Sequence, residues 1–370
     1  MRQIIIFLFF FSTLMASDVE VIQRIHSHLL IHDYHSALRE CEASLQVYPE
    51  SEGLKKIYVR TLAENGKDDE AILSWKQFEL KQEDTDLLET LAWGVLTRLE
   101  SSPQFVVNIA ALMSAFYTND IRAVQMLRNQ LSSSNALLRA MAAQLSPQYR
   151  DVALIEELTR LLQQEKVWFV RLEVIKALGA MEVKEVKQPL KQLLSKTRTT
   201  AEEKGAAIAS LVNIYEEVSG EELSQLIHSK RAGLRHLACQ IISHLDLKEQ
   251  ASMITPLLKD PSSDVRMAAL TTLYFMGMKT LDPSLVTQMI DLTEDPHPSV
   301  SLTASWAVAS IVPETTLQVI RKWIYSTDEA SRRLAAFVLG RIGAGGMHLA
   351  HQVLKITPDP FVRANLALGG

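Results

Sequence analysis

The chain has 370 residues, of which 47% are hydrophobic, 22% charged and 6% aromatic, with 14 Gly, 12 Pro and 2 Cys. This composition excludes a disordered chain, a collagen-like fibre and a small disulfide-stapled protein. Because 38 Lys and Arg stand against 43 Asp and Glu, the formal net charge of −5 gives no support to a protein that mainly binds nucleic acid. The low content of glycine, proline and aromatic residues favours helices over β-sandwiches and barrels.

The first residues have the pattern of a secretory signal peptide. Arg2 is followed by an apolar run that begins with Ile4–Phe11, and small residues, Ala16 and Ser17, come after it. The run is too short to cross a bilayer, which needs roughly 20 residues. We therefore predict a signal peptide at 1–17 and an exported protein of the periplasm or cell envelope, with no membrane span after cleavage. A buried N-terminal helix and an uncleaved anchor are the alternatives.

The segment 18–100 shows a period of 34 residues. Ala37 is followed by Pro49 at the end of a helical stretch, and Ala71 comes 34 residues after Ala37, with Trp75 at helical spacing behind it. This pattern resembles the tetratricopeptide repeat family, whose repeats have that length. The resemblance implies TPR-like helical hairpins that cap the N-terminal end of the following segment.

Histidines in the same segment are candidate metal ligands. His28, His32 and His35 are spaced i, i+4 and i+7, so one continuous helix would place them on one face, as a zinc site requires. However, His32-Asp33 falls where we expect a turn between two helices, and a turn would break that face. We therefore predict solvated turn histidines and no bound metal.

A repeat runs from residue 107 to the end of the chain. Its clearest copy is Asp264–Leu270, and looser copies recur at spacings of 31 to 35 residues. Three residues after the anchor position, alanine occurs in seven of nine copies. A small residue at one fixed point lets two helices approach closely where they cross, which predicts stacked helix pairs. The anchor positions are Val107, Arg139, Arg171, Lys204, Arg235, Arg266, Ser301, Arg332 and Arg363.

Between copies lie the pairs Asp260-Pro261, Asp295-Pro296 and Asp359-Pro360, which are typical of a helix start. With the Val-Arg-x-x-Ala core, this pattern resembles the HEAT repeat family in its short bacterial form. The resemblance covers 101–370 and implies an all-α fold, a right-handed α-α superhelix (HEAT-like solenoid), with the last repeat incomplete. At Val107, Lys204 and Ser301 the family's arginine is missing, so any ladder of arginine contacts between repeats is interrupted there.

Charge is unevenly distributed in the middle of the repeats. A basic stretch on a predicted second helix is followed by an acidic one, and a solvated face is the simpler interpretation. The alternative is a charged docking surface for a partner protein. The candidate partner-binding residues are Lys184, Lys187, Lys191, Lys196, Arg198, Glu216, Glu217, Glu221 and Glu222.

The C-terminal copy stops before a second helix. A solenoid normally ends in a polar capping repeat, whereas this end is expected to expose Val362, Leu366 and Leu368. We therefore expect either a reading frame shorter than its parent or an end covered by a partner, and end-to-end self-association is one possibility.

Taken together, the sequence predicts a non-catalytic protein–protein interaction scaffold that needs no cofactor. The partner is expected on the second helices, at 183–197, 248–259, 283–293 and 315–325, by analogy with the family. Two alternatives stay open: a lyase-like accessory enzyme subunit, because these units also resemble those of phycobilisome lyases, and a metal-binding protein. Cys41 and Cys239 fall on apolar helix faces and are expected to be buried free thiols.

Overall fold

The structure, a computed structural model, describes residues 18–80, 85–196, 198–277 and 283–367, and all regular elements in these ranges are helical. The predicted signal peptide at 1–17 lies outside them. None of the described helices is long and apolar enough to span a membrane. The α-helices are α1 (Asp18–Leu30), α2 (Tyr34–Val47), α3 (Glu52–Glu64), α4 (Asp68–Gln77), α5 (Thr85–Glu100), α6 (Phe105–Tyr117), α7 (Arg122–Leu131), α8 (Ala136–Leu145), α9 (Val152–Gln164), α10 (Trp168–Ala180), α11 (Lys187–Ser195), α12 (Ala201–Ile214), α13 (Gly220–Ile227), α14 (Ala232–His244), α15 (Ser263–Phe275), α16 (Pro283–Asp291), α17 (Pro298–Val308), α18 (Pro313–Ile324), α19 (Glu329–Ile342), α20 (Met347–Ile356) and α21 (Pro360–Ala367).

The helices divide into two compact units that separate between Leu154 and Ile155. Within each unit, helices that follow one another in the chain pack against each other, so the predicted all-α superhelical fold class is confirmed. The boundary that we placed between residues 100 and 101 follows the change in repeat spacing and stays a prediction.

The first unit begins with helix pairs around the alanines that gave the 34-residue period. Ala37 and Ala71 are both fully buried, the first beside Ile25 and Leu54 in one apolar cluster and the second in the next cluster. Polar caps fix the helix starts, since Asp33 accepts a hydrogen bond from the backbone N–H of Ser36 at the start of α2.

The second unit is built on a row of first helices, each of which packs against the next: α10, α12, α14, α15, α17, α19 and α21. The residue three positions after each anchor lies at these contacts and is buried, as the repeat predicts. These residues are Val174, Ala207, Ala238, Ala269, Ala304, Ala335 and Leu366.

The anchor that we assigned to Val107 is wrong by one residue. Ala110 is exposed, whereas Ala111 is buried, so the register that fits the fold places the anchor at Asn108. The amide Nδ2 of Asn108 donates to the carbonyl of Glu100, eight residues earlier, at 2.6 Å. The sequence alone does not distinguish the two registers, because alanine occurs at both 110 and 111.

Glycines near the ends of first helices have two different roles. Gly277, with φ of 81°, ends the first helix α15 in the left-handed conformation. After α10 the left-handed residue is Glu182, with φ of 57°, and not Gly179. Gly179 lies instead where α10 crosses α12, and a Cβ there would lie 2.3 Å from the Oγ of Ser210.

One second helix departs from α geometry. Residues Lys248–Lys259 form a 3₁₀-helix with Pro256 inside it. Proline has no N–H to donate and crowds the preceding turn, which disfavours an α-helix at this position. Runs of 3₁₀-helix longer than a few residues are uncommon, so this repeat differs from its neighbours in local geometry.

The expected exposure of the C-terminal apolar residues is wrong for the two that the structure describes. Val362 and Leu366, on α21, are buried against α19 in a cluster with Leu339 and Leu349. A single short helix suffices because its two apolar residues, four apart, share one face. Leu368 lies outside the described residues.

Candidate functional site

Anchor arginines connect consecutive repeats in the second unit. The Nη1 of Arg266 donates to the carbonyl of Asp260 at 2.8 Å, and its Nε and Nη2 each donate at 2.8 Å to the carboxylate of Asp295 in the next repeat. Arg235 makes the same bidentate contact, with its Nε and Nη2 donating to the Asp260 carboxylate. The Nε of Arg171 donates to the carboxylate of Glu203. We call these three arginine–carboxylate pairs the arginine ladder.

Two of the predicted helix starts, at Asp260-Pro261 and Asp295-Pro296, are wrong. Asp260 and Asp295 each accept a backbone N–H two residues ahead, but α15 and α17 begin only after that turn. The two carboxylates also accept hydrogen bonds from Arg235 and Arg266 of the preceding repeats. At Asp359 the helix does begin at the following proline, as predicted.

The predicted interruption at Ser301 is confirmed. The Oγ of Ser301 donates to the carbonyl of Thr293 and accepts the indole N–H of Trp323 at 3.0 Å. A hydroxyl and an indole thus fill the place that the guanidinium has in neighbouring repeats.

Three lysines of the predicted basic stretch are engaged within the chain. Lys184 forms an ion pair with Glu216 at 2.8 Å, and Lys191 forms one with Glu222. The Nζ of Lys187 lies 3.6 Å from the centre of the Tyr215 ring. The two charged stretches that we identified therefore face each other between α11 and the start of α13.

Burial and hydrogen bonding set the protonation states in this network. Burial acts to raise the pKa of Glu222, but hydrogen bonds from Lys191 and Tyr215 outweigh it and hold the pKa below its ordinary value. Burial, followed by the neighbouring Glu222 carboxylate, raises the pKa of the Tyr215 hydroxyl, which donates to Glu222 at 2.6 Å. The network is thus a charged internal contact between repeats.

Lys196, at the end of the predicted basic stretch, belongs to a separate cluster of cations. Lys196 is exposed and lies on a groove of about 330 Å³ that runs across the ends of α11, α12, α14 and α15. Lys204, Lys230 and Arg231 line the same groove, together with His236 and Asp264. We call this set the basic groove. No ion pair joins these four cations to a carboxylate within the described residues.

The start of α14 adds to the positive character of the basic groove. Its N-cap residue, Arg231, makes no side-chain capping bond, and the backbone N–H groups of Ala232 and Gly233 have no acceptor in the part of the chain that the structure describes. Unsatisfied N–H groups at a helix start carry partial positive charge and attract anions. Gly233 keeps the helix close to Leu194, since a Cβ there would lie 3.2 Å from the Leu194 Cβ.

Residues 124–212 match the family model of HEAT repeats. This chain contains HEAT repeats. The match includes the anchors at Arg139, Arg171 and Lys204, and it covers the first pair of the arginine ladder. The tetratricopeptide resemblance of 18–100 stays a prediction.

Solved structures with stacked helices are similar to this HEAT-repeat chain at low identity. One is the complex of CpcE and CpcF of phycocyanin lyase from Nostoc sp. PCC7120, with 16% identity and a TM-score of 0.35 over 66% of this chain and 94% of that chain. Human deoxyhypusine hydroxylase has 18% identity and a TM-score of 0.29 over 71% and 98%. Kap121p has 11% identity and a TM-score of 0.42 over 95% and 51%. A search among curated proteins gives no match.

Three residues of the basic groove were not identified from sequence. Lys204 stands where the family has an anchor arginine, and Lys230-Arg231 stand just before a first helix. Their position in the HEAT repeat could have indicated a shared site, since all three lie at an anchor or within five residues of one. Of the other candidates, Arg198, Glu217 and Glu221 are exposed, and their role in binding stays a prediction.

The histidine candidates fall on both sides of a turn, as the sequence predicts. His28 lies in the last turn of α1 with its Nε2 3.3 Å from the Glu40 carboxylate, and His32, with φ of 57°, lies in the turn. His35 is exposed on α2. Across the described residues, no three His, Cys, Asp or Glu side chains are placed to hold a metal ion.

Both cysteines of the described chain are buried free thiols, which confirms the sequence prediction. Burial raises the pKa of Cys41 and of Cys239 to about 12. A thiolate is the nucleophilic form of cysteine, so neither side chain is suited to react at neutral pH.

Proposed function

We propose that the chain is a non-catalytic scaffold that binds another protein on the surface of its HEAT repeats. The observation that carries this proposal is the contrast within the second unit. The arginine ladder, Lys184 and Lys191 pair with carboxylates of a neighbouring repeat, whereas the cations of the basic groove have no ion-pair partner within the described residues. Stacked repeats form an extended surface of the kind that binds other proteins.

Photo-crosslinking in the organism of origin tests this proposal. A photoreactive amino acid at Gln192 on α11 or Gln318 on α18, both exposed on second helices, is expected to give a discrete crosslinked band. The matched control is Lys176, exposed on the first helix α10, where no band is expected. Absence of a discrete band from every position contradicts the scaffold proposal.

The proposed location is the periplasm or cell envelope, and it rests on the sequence of residues 1–17 alone. Fractionation of cells that express a C-terminally tagged chain tests it. Removal of residues 1–17 is expected to retain the tagged chain in the cytoplasm, whereas the full chain is exported. Cytoplasmic recovery of the full chain contradicts the proposal.

A further inference from the structure

We propose that the basic groove is the docking site for a short acidic segment of the partner protein. This inference rests on the proposed scaffold function and names the chemistry of its partner. The groove carries four cations against the single carboxylate of Asp264, and the half-buried His236 stays neutral at pH 7 because burial lowers its pKa.

Carboxylates fit the arrangement of donors. Lys204, Lys230 and Arg231 line the groove together with Ala232 and Gly233, the first residues of α14. A carboxylate at that start accepts the unsatisfied N–H groups of Ala232 and Gly233 while the cations neutralise its charge. The groove crosses the ends of three successive first helices, so consecutive acidic residues of one segment reach different cations.

The size and surroundings of the groove favour a peptide over a nucleic acid. Its volume of about 330 Å³ holds only a few side chains, and the net charge of the whole chain is −5. Nucleic-acid affinity depends on many phosphate contacts along an extended basic surface. A compact basic site on an acidic protein instead suits a partner with a local cluster of Asp or Glu.

Fluorescence anisotropy with the full chain tests this proposal. The probe is a labelled peptide of eight glutamates. The comparison probes are a labelled peptide of eight lysines and a labelled oligothymidylate of eight nucleotides. We expect the glutamate peptide to bind with an affinity that falls as salt is raised. The double variant Lys230→Glu, Arg231→Glu is expected to weaken binding at least about tenfold.

The matched control is Arg39→Glu, Lys76→Glu, which reverses two exposed cations on α2 and α4, outside the HEAT repeats and the proposed partner surface. It should bind like the unmodified chain, and circular dichroism should show equal helicity for both variants. Failure of the unmodified chain to bind the glutamate peptide, equal loss in both variants, or tighter binding of oligothymidylate overturns the proposal. If the groove variant still gives the crosslinked band from Gln192, the scaffold proposal stands and the groove assignment fails.

Discussion

Arginine at the anchor position stabilises a HEAT repeat by holding a carboxylate that would otherwise be buried alone. The side chains of Arg266 and Asp295 are only 13% and 6% exposed. Removing one partner of such a pair leaves an uncompensated charge, at a cost of about 3–5 kcal/mol. We expect Arg266→Met to lower the free energy of unfolding in urea by this amount.

The cause of that loss can be separated from lost packing. Adding Asp295→Asn to Arg266→Met removes the stranded charge and keeps an oxygen for the backbone N–H of His297. The double variant is expected to recover more than half of the loss. If it is as unstable as the single variant, the buried charge is not the reason for the instability.

A second residue-scale prediction concerns pH. Burial raises the pKa of Glu100 above its ordinary value of 4.5, and hydrogen bonds from Gln130 and Asn129 offset this only in part. A raised pKa in the folded state means that the contribution to stability is present below 4.5 and is lost as pH rises through the folded value. Glu100→Gln removes this dependence.

Urea unfolding at pH 4.5 and pH 7.5 measures the effect. The free energy of unfolding of Glu100→Gln, taken relative to the unmodified chain at each pH, should be higher at pH 7.5 than at pH 4.5. A difference that stays constant with pH shows that Glu100 is not perturbed in the folded protein.

At the scale of single helices, two glycines allow a matched test of helix crossing. A Cβ at Gly179 on α10 would lie within 2.6 Å of three atoms of Ser210, whereas a Cβ at Gly205 on α12 meets nothing within 4 Å. Gly179→Ala is expected to destabilise the protein by about 1–3 kcal/mol through overpacking. Gly205→Ala should stabilise it by about 1 kcal/mol, since alanine is the better helix former.

Thermal unfolding followed by circular dichroism compares the two variants directly. The expected result is a lower midpoint for Gly179→Ala and an equal or higher midpoint for Gly205→Ala. Equal shifts in both would mean that α10 and α12 do not approach closely at Gly179.

Helices and their buried residues were largely predictable because each depends on a local pattern. Ala269 and Ala335 recur at a fixed distance from an anchor, and both are fully buried. The basic groove was not predictable, because Lys230 lies 26 residues after Lys204 and reaches Lys196 and Lys204 only when repeats stack. The pairing of Lys191 with Glu222 was missed for the same reason, although both residues were singled out by charge.

At the scale of a whole unit, stacked repeats should transmit a perturbation only to near neighbours. Stability in such arrays is approximately a sum of repeat and interface terms. Hydrogen exchange of the Gly179→Ala variant is therefore expected to increase in α10, α11 and α12 and to stay unchanged in α19 and α21. Uniform acceleration throughout the second unit would show that it unfolds as a single cooperative body.

The arginine ladder also bears on how such a chain changes its length in evolution. Asp260-Pro261 and Asp295-Pro296 carry the same dipeptide, so deleting residues 261–295 rejoins Asp260 to Pro296 and restores the sequence at the junction. The deletion removes both Arg266 and Asp295, which pair with each other, and Arg235 keeps its partner Asp260. Whole repeats can thus be gained or lost by recombination at these dipeptides without stranding a buried charge, and the shortened chain is expected to fold cooperatively by circular dichroism.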